Sequence, residues 1–405
     1  LRHAGWDVGL VDLLYQHDPL LSAGKSPTTT GRGQYERMEI PRPEPLQQVV
    51  IPRKYYRYGI SGESAEKLLS RYPDPRLILV TSVMTYWYTG LAATVAFLKK
   101  HYPEVPVIIG GIYTQLCRDH AHAVFPGCEI APRETYPFLR ERLKKEFGFA
   151  PLLPGDRLGL SLSYDFYPGI PYIPLRFSRG CPYRCRYCAG PLLEPEYRED
   201  SPGHVKQEFL AWYDKGVRDF VFYDDALLFS KKTLLHPFLE WMAEEGMRAR
   251  FHTPNGLHIA AFDKKTLDLM MASGEWDLRF GVETLFRGDS PLDIKSERRD
   301  LERAASLLKD SGFDLSRVRI YLLAGLPHQS RIEVEENIKI IRQTGLRPIP
   351  NEYSPIPGTP LFTEALKASP YDLNEPLFQN KSIVPCRWEG QTWQDVQELK
   401  ELARM

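Results

Sequence analysis

Three cysteines, Cys181, Cys185 and Cys188, fall within eight residues of this 405-residue chain, in the order C-P-Y-R-C-R-Y-C. A loop this tight can present three thiolates to one metal centre, and it supplies no fourth. Four-iron clusters ordinarily take four cysteines, so a three-thiolate site leaves one iron open. An open metal position is where substrates bind and react. Zinc would need a further ligand from a second C-x-x-C or a spaced histidine pair, and none follows the loop. A disulfide framework belongs to small, cysteine-dense secreted chains, whereas this chain has six cysteines in all. Iron–sulfur chemistry is therefore favoured. The other three, Cys117, Cys128 and Cys386, are scattered and read as buried structural thiols. Cys386 alone lies in a tail that could fold back over an active-site mouth.

The elements that must position the loop form a repeating pattern. Six strand–helix units follow one another, with strands expected near Leu175–Ser178, Asp219–Tyr223, Arg250–Thr253, Leu278–Val282, Val318–Ala324 and Pro350–Tyr353. Helix ends between them are marked. Ser330 with Glu333 forms a capping box for Ser330–Gln343, and Gly345 follows as a stop. Six such units predict an open, partial (β/α)6 barrel, with chemistry carried by the loops at the strand C-termini. The cysteine loop lies directly after the first strand, at that mouth.

Loop and placement together resemble the radical SAM superfamily residue for residue. The resemblance implies that the open iron is chelated by the amine and carboxylate of S-adenosylmethionine (SAM), and that the aromatic before the last cysteine, Tyr187, belongs to the SAM site. The later strand ends fit in order. Strand two ends in Phe222-Tyr223-Asp224-Asp225, an acidic pair suited to the methionyl ammonium; adjacent aspartates point apart, so one of the two is expected to engage it. Strand three ends in Thr253-Pro254-Asn255-Gly256, and strand four in Gly281-Val282-Glu283-Thr284, with Glu283 facing the ribose or the substrate. Strand five gives Ala324-Gly325-Leu326-Pro327, whose backbone the resemblance lays against the adenine. Strand six ends in Tyr353-Ser354-Pro355-Ile356-Pro357-Gly358-Thr359-Pro360, similar to the S-P-x-P-G-T-P segment of members with this longer domain. The implied chemistry is one-electron cleavage of SAM to a 5′-deoxyadenosyl radical, which the protein shields and aims at one substrate hydrogen. Arg176, Arg179, Arg184 and Arg186 around the loop are expected to offset the anionic cluster rather than converge on one ligand. His252 and His258, flanking strand three, read as core or surface histidines.

The first 150 residues read differently. Apolar strand patterns at Asp7–Leu14, Arg76–Val83 and Val105–Gly111, with a short strand near Glu129, alternate with helix patterns at Gly90–His101, Gln115–Val124 and Thr135–Phe147. This predicts a doubly wound, Rossmann-like parallel sheet. Ser22–Tyr58 has no periodicity and is expected to be a lid or binding loop. Such a domain ahead of a radical SAM barrel resembles the cobalamin-binding class. The resemblance implies a cobalamin site at the sheet's C-terminal turns, from Thr81, Ser82, Met84 and Thr85 after one strand and Gly110, Gly111, Tyr113 and Thr114 after the next. Trp87 and Tyr88 are candidates to pack under a corrin ring. Two departures stand out: there is no D-x-H-x-x-G motif to supply a cobalt-ligating histidine, and Pro132-Arg133 replaces the Gly-Glu pair common after the last strand. The chain thus divides into residues 1–150, a Pro- and Tyr-rich linker over 151–173, the barrel over 174–365 and a tail over 366–405.

If cobalamin binds, the resemblance implies methylation of an unactivated carbon. The alternatives are radical rearrangement, oxidation or carbon–carbon bond formation without cobalamin, and a non-catalytic cluster-binding protein. Lysine plus arginine equals aspartate plus glutamate, 52 of each, which gives no electrostatic footprint for nucleic acid. No apolar run is long enough to span a bilayer. A cluster on reduced thiols fits the cytoplasm, a flavodoxin or ferredoxin as electron donor, and a small-molecule or peptide substrate. The start at Leu1, within a helix-like Leu-Arg-His-Ala-Gly, predicts that the natural protein extends further N-terminally by a strand and most of a helix.

Overall fold

Among the described residues, alternating apolar strands and amphipathic helices give two main sheets, and every ladder within these two is parallel. The computed structural model describes residues 1, 6–21, 35–148, 163–167, 169–285, 296–387 and 392–404. The helix-like start, the first part of the irregular stretch and most of the expected linker lie outside these. Among the described residues the chain forms two compact units, the first from 1–21, 35–169 and 373–380, the second from 170–372 and 381–404. The expected tail is thus divided between them, with eight of its residues built into the first unit.

The first unit opens with an antiparallel pair, β1 (Arg37–Glu39) and β2 (Tyr56–Tyr58), followed by helix α1 (Gly62–Leu69). Its main sheet orders β3 (Ile78–Ser82), β4 (Val107–Gly111) and β5 (Glu129–Ile130) side by side. Helices α2 (Tyr88–His101), α3 (Ile112–Leu116), α4 (Arg118–Val124) and α5 (Thr135–Phe147) connect and follow them. Ile109, Tyr113, Val107, Leu91 and Phe125 form the core, with Ile78 and Val80 of β3 packed on it. Asp7–Leu14 was expected as a strand and is not one. Its apolar side chains are used otherwise: Val11 and Leu13 pack with Ile60, Leu68 and Phe97, and the Leu13 carbonyl accepts from Ile60 N–H at 2.9 Å. A strand needs a neighbour for its ladder bonds, and this segment has found side-chain packing instead.

The second unit places six parallel strands in chain order: β6 (Ile173–Leu175), β9 (Asp219–Phe222), β10 (Ala249–His252), β12 (Gly274–Glu283), β13 (Val318–Ala324) and β14 (Arg347–Glu352). Three short strands accompany them. β7 (Ser178–Arg179) pairs with β8 (Arg198–Glu199), and β11 (Leu257–His258) pairs with β12. Crossovers run through α6 (Gly190–Leu193), α7 (Pro202–Tyr213), α8 (His236–Glu244), α9 (Lys264–Ser273), α10 (Arg298–Asp310) and α11 (Arg331–Gln343), and α12 (Pro360–Ala368) and α13 (Trp393–Leu402) follow β14. An all-parallel sheet in sequential order is the partial (β/α)6 barrel that the sequence predicts. Its core is aromatic, with Trp276 stacked on Phe251 and Phe222 at centroid separations of 4.6 and 5.7 Å. The Ser330–Glu333 capping box is formed as read from the sequence. β14 carries Pro348 and Pro350, which an edge strand accommodates because its outer side needs no ladder donor.

Candidate active site

The first strand expected over Leu175–Ser178 breaks in two, and the break builds the mouth of the barrel. β6 ends at Leu175; the N–H groups of Phe177 and Ser178 then leave the ladder and donate to the buried Asp224 carboxylate at 2.7–3.1 Å, joined by the Ser178 hydroxyl at 2.7 Å. Burial pushes the Asp224 carboxyl up to about 6 against the pull of these donors. Asp224 therefore fixes the turn from which the cysteine loop departs. Asp225 is left as the free member of the acidic pair, with burial raising its pKa and the charge of Arg176 lowering it. This division of labour was not readable from an Asp-Asp dipeptide, and nothing local to Ser178 marked it as a partner 46 residues away.

Beyond β7 the loop carries Cys181, Cys185 and Cys188, none of them in a disulfide. Cys188 N–H donates to the Cys185 carbonyl at 3.0 Å, and the Cys188 sulfur accepts from Gly190 N–H at 3.3 Å. The loop is held from several sides. The Tyr183 ring stacks on His258 at 4.0 Å, Arg186 pairs with Glu364, and the Arg186 carbonyl accepts from Leu361 N–H. Arg186 is thus directed at α12, and Arg176 and Arg184 are exposed. His252 lies between Asp219 and Asp277, its ring nitrogens 3.0 and 2.9 Å from their carboxylates, a buried structural network at the opposite end of β9.

Tyr187 and Glu283, from the loop and from strand four, meet directly: the tyrosine hydroxyl donates to the Glu283 carboxylate at 2.7 Å. Burial, then the Glu283 charge, raises the Tyr187 pKa and keeps the phenol protonated as a donor. Glu283 has φ +59°, a left-handed conformation rare for a bulky residue, at a register shift where β12 pairs with β13. The kink turns its carboxylate back over Gly281, where an added Cβ would lie 3.0 Å from Glu283 Oε1. Strain of this kind persists where surrounding structure holds it and clusters at functional sites.

Asn255 donates to the Tyr223 carbonyl at 3.0 Å and lines a crevice with Asp224, Thr253 and Gly256 at the ends of β9 and β10. Gly325 adopts φ +78°. The N–H groups of Gly325 and Leu326 both donate to the Gln329 side-chain carbonyl, at 2.8 and 3.3 Å, while the Gln329 amide returns to the Leu323 carbonyl. Gln329 is a determinant of this turn that the sequence reading passed over. Tyr353 is buried beside Cys386, and its hydroxyl has no hydrogen-bond partner among the described residues. Burial pushes the Cys386 thiol up to about 12, so it is a neutral thiol. Every SAM-site residue expected from the sequence therefore lies at the C-terminal end of its strand or in the cysteine loop.

In the first unit, Thr81 and Ser82 close β3 against Gly110 and Gly111. Gly111 has φ +95°, and a Cβ there would fall 2.5 Å from both the Ser82 carbonyl and Thr81 Oγ1; glycine is what lets the two turns close. Thr114 is buried and donates to the Gly111 carbonyl at 3.0 Å. Tyr113 is fully buried, its hydroxyl 2.7 Å from His120 Nδ1. Thr85 is buried as well, whereas Val83, Met84 and Trp87 are 49, 41 and 43 % exposed. Of the residues expected to hold cobalamin, Gly111, Tyr113 and Thr114 are packed into the end of the sheet, and Met84 presents apolar surface. Among the described residues no helix is long and apolar enough to cross a membrane.

Comparison with known proteins follows the same division. Residues 175–341 match the model of the Radical SAM superfamily. An uncharacterized methyltransferase of Pyrococcus horikoshii is 25% identical over 222 residues, covering 50% of this chain and 46% of that protein. The cytidylyl-2-hydroxyethylphosphonate methyltransferase of Streptomyces wedmorensis is 25% identical over 240 residues, covering 56% and 43%. The chain spans less than half the length of these relatives. Among solved structures, the radical S-adenosylmethionine methyltransferase TsrM from Kitasatospora setae, with cobalamin and a [4Fe-4S] cluster bound, superposes with a TM-score of 0.60 at 14% identity, covering 75% of this chain and 69% of that one. At that identity the likeness is one of fold. The superfamily match begins on the last residue of β6 and ends in α11, so the part of the chain similar to the radical SAM superfamily is the stretch that carries the cysteine loop and its facing strand ends.

Proposed function

We propose that this chain cleaves SAM at a four-iron cluster held by Cys181, Cys185 and Cys188 and, with a corrinoid on its first unit, methylates an unactivated carbon. The observation that carries the reading is the loop of three cysteines at the barrel mouth, none in a disulfide, whose Tyr187 is hydrogen-bonded to Glu283 on a strained backbone. Among the described residues no three His, Cys, Asp or Glu side chains converge as ligands of a single ion. A tetrahedral zinc site would gather all three sulfurs and a fourth ligand on one ion, whereas a cubane gives each thiolate its own iron; three closely spaced cysteines without a fourth ligand in the loop suit the cubane. On the first unit, the glycine-tight turn at Gly111 and the exposed Val83, Met84 and Trp87 suit a flat apolar ring over the sheet edge. The relatives named as methyltransferases support methyl transfer.

When bound, the cluster supplies the electron that breaks a carbon–sulfur bond of SAM, and the corrinoid supplies the methyl group. The chain's own residues bind and orient. Asp225 pairs with the methionyl ammonium, Glu283, steadied by the protonated Tyr187, accepts from the ribose or the substrate, and the Gly325–Leu326 backbone lies against the adenine. Asn255 and Tyr353 complete the SAM pocket. The substrate is a small molecule or a peptide, the electron donor is of the flavodoxin or ferredoxin kind, and the reduced thiols fit a cytoplasmic protein. The test is anaerobic reconstitution with iron, sulfide and hydroxocobalamin, followed by removal of unbound ligand, an absorption spectrum and an iron count. About four irons per chain with stoichiometric corrinoid is the expected result. Four irons without corrinoid would leave the cluster and remove methyl transfer from cobalamin.

A further inference from the structure

Residues 373–380 belong to the first unit although the chain on either side of them belongs to the second. This strap contains a one-turn helix, Pro376–Gln379, with Pro376, Leu377 and Gln379 buried, and the turn packs against Thr85–Trp87, the turn that ends β3. The contact lies on the same sheet edge as Met84, Gly111 and Tyr113. Glu375 fastens it. The Glu375 carboxylate accepts from Leu377 N–H at 3.0 Å, lies 3.8 Å from His120 Nε2 and is close enough to the Tyr88 hydroxyl to be stabilised by it. His120 is fixed in turn by the Tyr113 hydroxyl on its other nitrogen, and its ring meets the Tyr88 ring edge-on at 4.7 Å. Tyr88 and Tyr113 stack at 6.0 Å. Gln379 bonds the Leu373 carbonyl at 2.9 Å and the Cys117 thiol.

One half-buried carboxylate thus sits among polar groups of α2, of α4 and of the strap itself. Burial raises the Glu375 pKa, but His120, the Leu377 amide and Tyr88 together hold it below the usual carboxylate value, so the latch is anionic at neutral pH. A turn fastened by polar bonds at the rim of an open sheet edge can be released locally without unfolding the unit. A segment covering the edge where a ligand docks slows that ligand's escape, which is where affinity differences mostly reside.

We propose that the strap 373–380 is the outer wall of the first unit's corrinoid site and that Glu375 is the positioning residue that latches it. This rests on the corrinoid reading above and adds to it a residue that sets retention. Two consequences follow. Bound corrinoid protects the strap from opening, and a loosened strap releases corrinoid faster, the two effects being reciprocal.

The test uses the full chain reconstituted with its cluster and loaded with hydroxocobalamin. Dissociation is followed by the visible absorption that remains after rapid desalting, and strap opening by hydrogen exchange at the Leu377 and Gln379 amides. In the wild-type protein, hydroxocobalamin is expected to slow exchange at both amides. Glu375→Ala, which removes a charge-assisted acceptor, should release corrinoid about tenfold faster. Glu375→Gln, which keeps an acceptor for the Leu377 amide and a polar group facing His120 and Tyr88, should restore most of the retention. Wild-type exchange in the strap that hydroxocobalamin leaves unchanged would overturn the proposal without any variant having to fold. So would Glu375→Ala protein with a loosened strap and a wild-type release rate. Wild-type protein that retains no corrinoid at all would remove the cobalamin reading and this inference with it, whereas retention without coupling removes only the inference.

Discussion

The barrel mouth and the edge of the small sheet are both made of turns at strand C-termini, yet they are built on opposite plans. At the mouth, chemistry-bearing side chains are held by their own backbone: a kink at Glu283, a left-handed Gly325, and a strand broken after Leu175 so that Asp224 can collect its donors. At the sheet edge the backbone floor is tight and closed by Gly111, and the wall comes from residues more than 250 positions away in sequence, Glu375 against His120 and Tyr88. A site of the first kind is carried by short motifs. A site of the second kind depends on a partner that no local window contains.

Four substitutions sharpen this contrast. Replacing Cys185 by Ala should have the largest effect, loss of the cluster and of SAM cleavage altogether, read as an iron count and as the absence of 5′-deoxyadenosine. Asp224→Ala comes next. It strands the buried N–H groups of Phe177 and Ser178, and unsatisfied buried donors cost about 1–3 kcal/mol each, so the unfolding midpoint in urea should fall clearly. Asp225→Ala should leave that midpoint in place and weaken SAM binding about tenfold, measured by equilibrium dialysis. Equal effects of the two changes on stability would show that the acidic pair does not divide its roles. Glu283→Gln keeps an acceptor for Tyr187 and should preserve the iron count while slowing 5′-deoxyadenosine formation.

A smaller effect comes from the network at the far end of the strands. The hydrogen bond from His252, opposed by burial, and the nearby Arg317 hold the Asp277 carboxyl at about 2, below its ordinary 3.8. A depressed carboxylate stabilises the fold above its unfolded pKa, and that contribution is lost as pH falls through the folded value. The wild-type protein should therefore lose stability between about pH 4 and pH 2 more steeply than Asp277→Asn. Parallel acid limbs in the two proteins would assign the network no part in the acid response.

What was legible in the sequence follows the same line. The cysteine loop, the six strands and the Ser330 capping box are local patterns, set by spacing or by period, and they stand in the structure. Glu283 was marked by its Gly-Val-Glu turn, but not its left-handed backbone, which depends on β12 slipping register against β13. Asp7–Leu14 has the composition of a strand and lacks the ladder, because β-structure is completed by a neighbour rather than by composition. Gln329 and Ser178 act through bonds to backbone atoms of their own turn or of a distant strand, and neither residue type signals this alone. Glu375 was hidden most deeply, in a tail with no local pattern that joins it to the first unit.

The central claim is that Cys181, Cys185 and Cys188 hold a cluster that cleaves SAM. The direct measurement is 5′-deoxyadenosine released by the anaerobically reconstituted full chain on addition of a strong reductant and SAM. Wild-type protein carrying about four irons should form it, and Cys185→Ala should form none. Iron-loaded wild-type protein that binds SAM and yields no 5′-deoxyadenosine would contradict the claim.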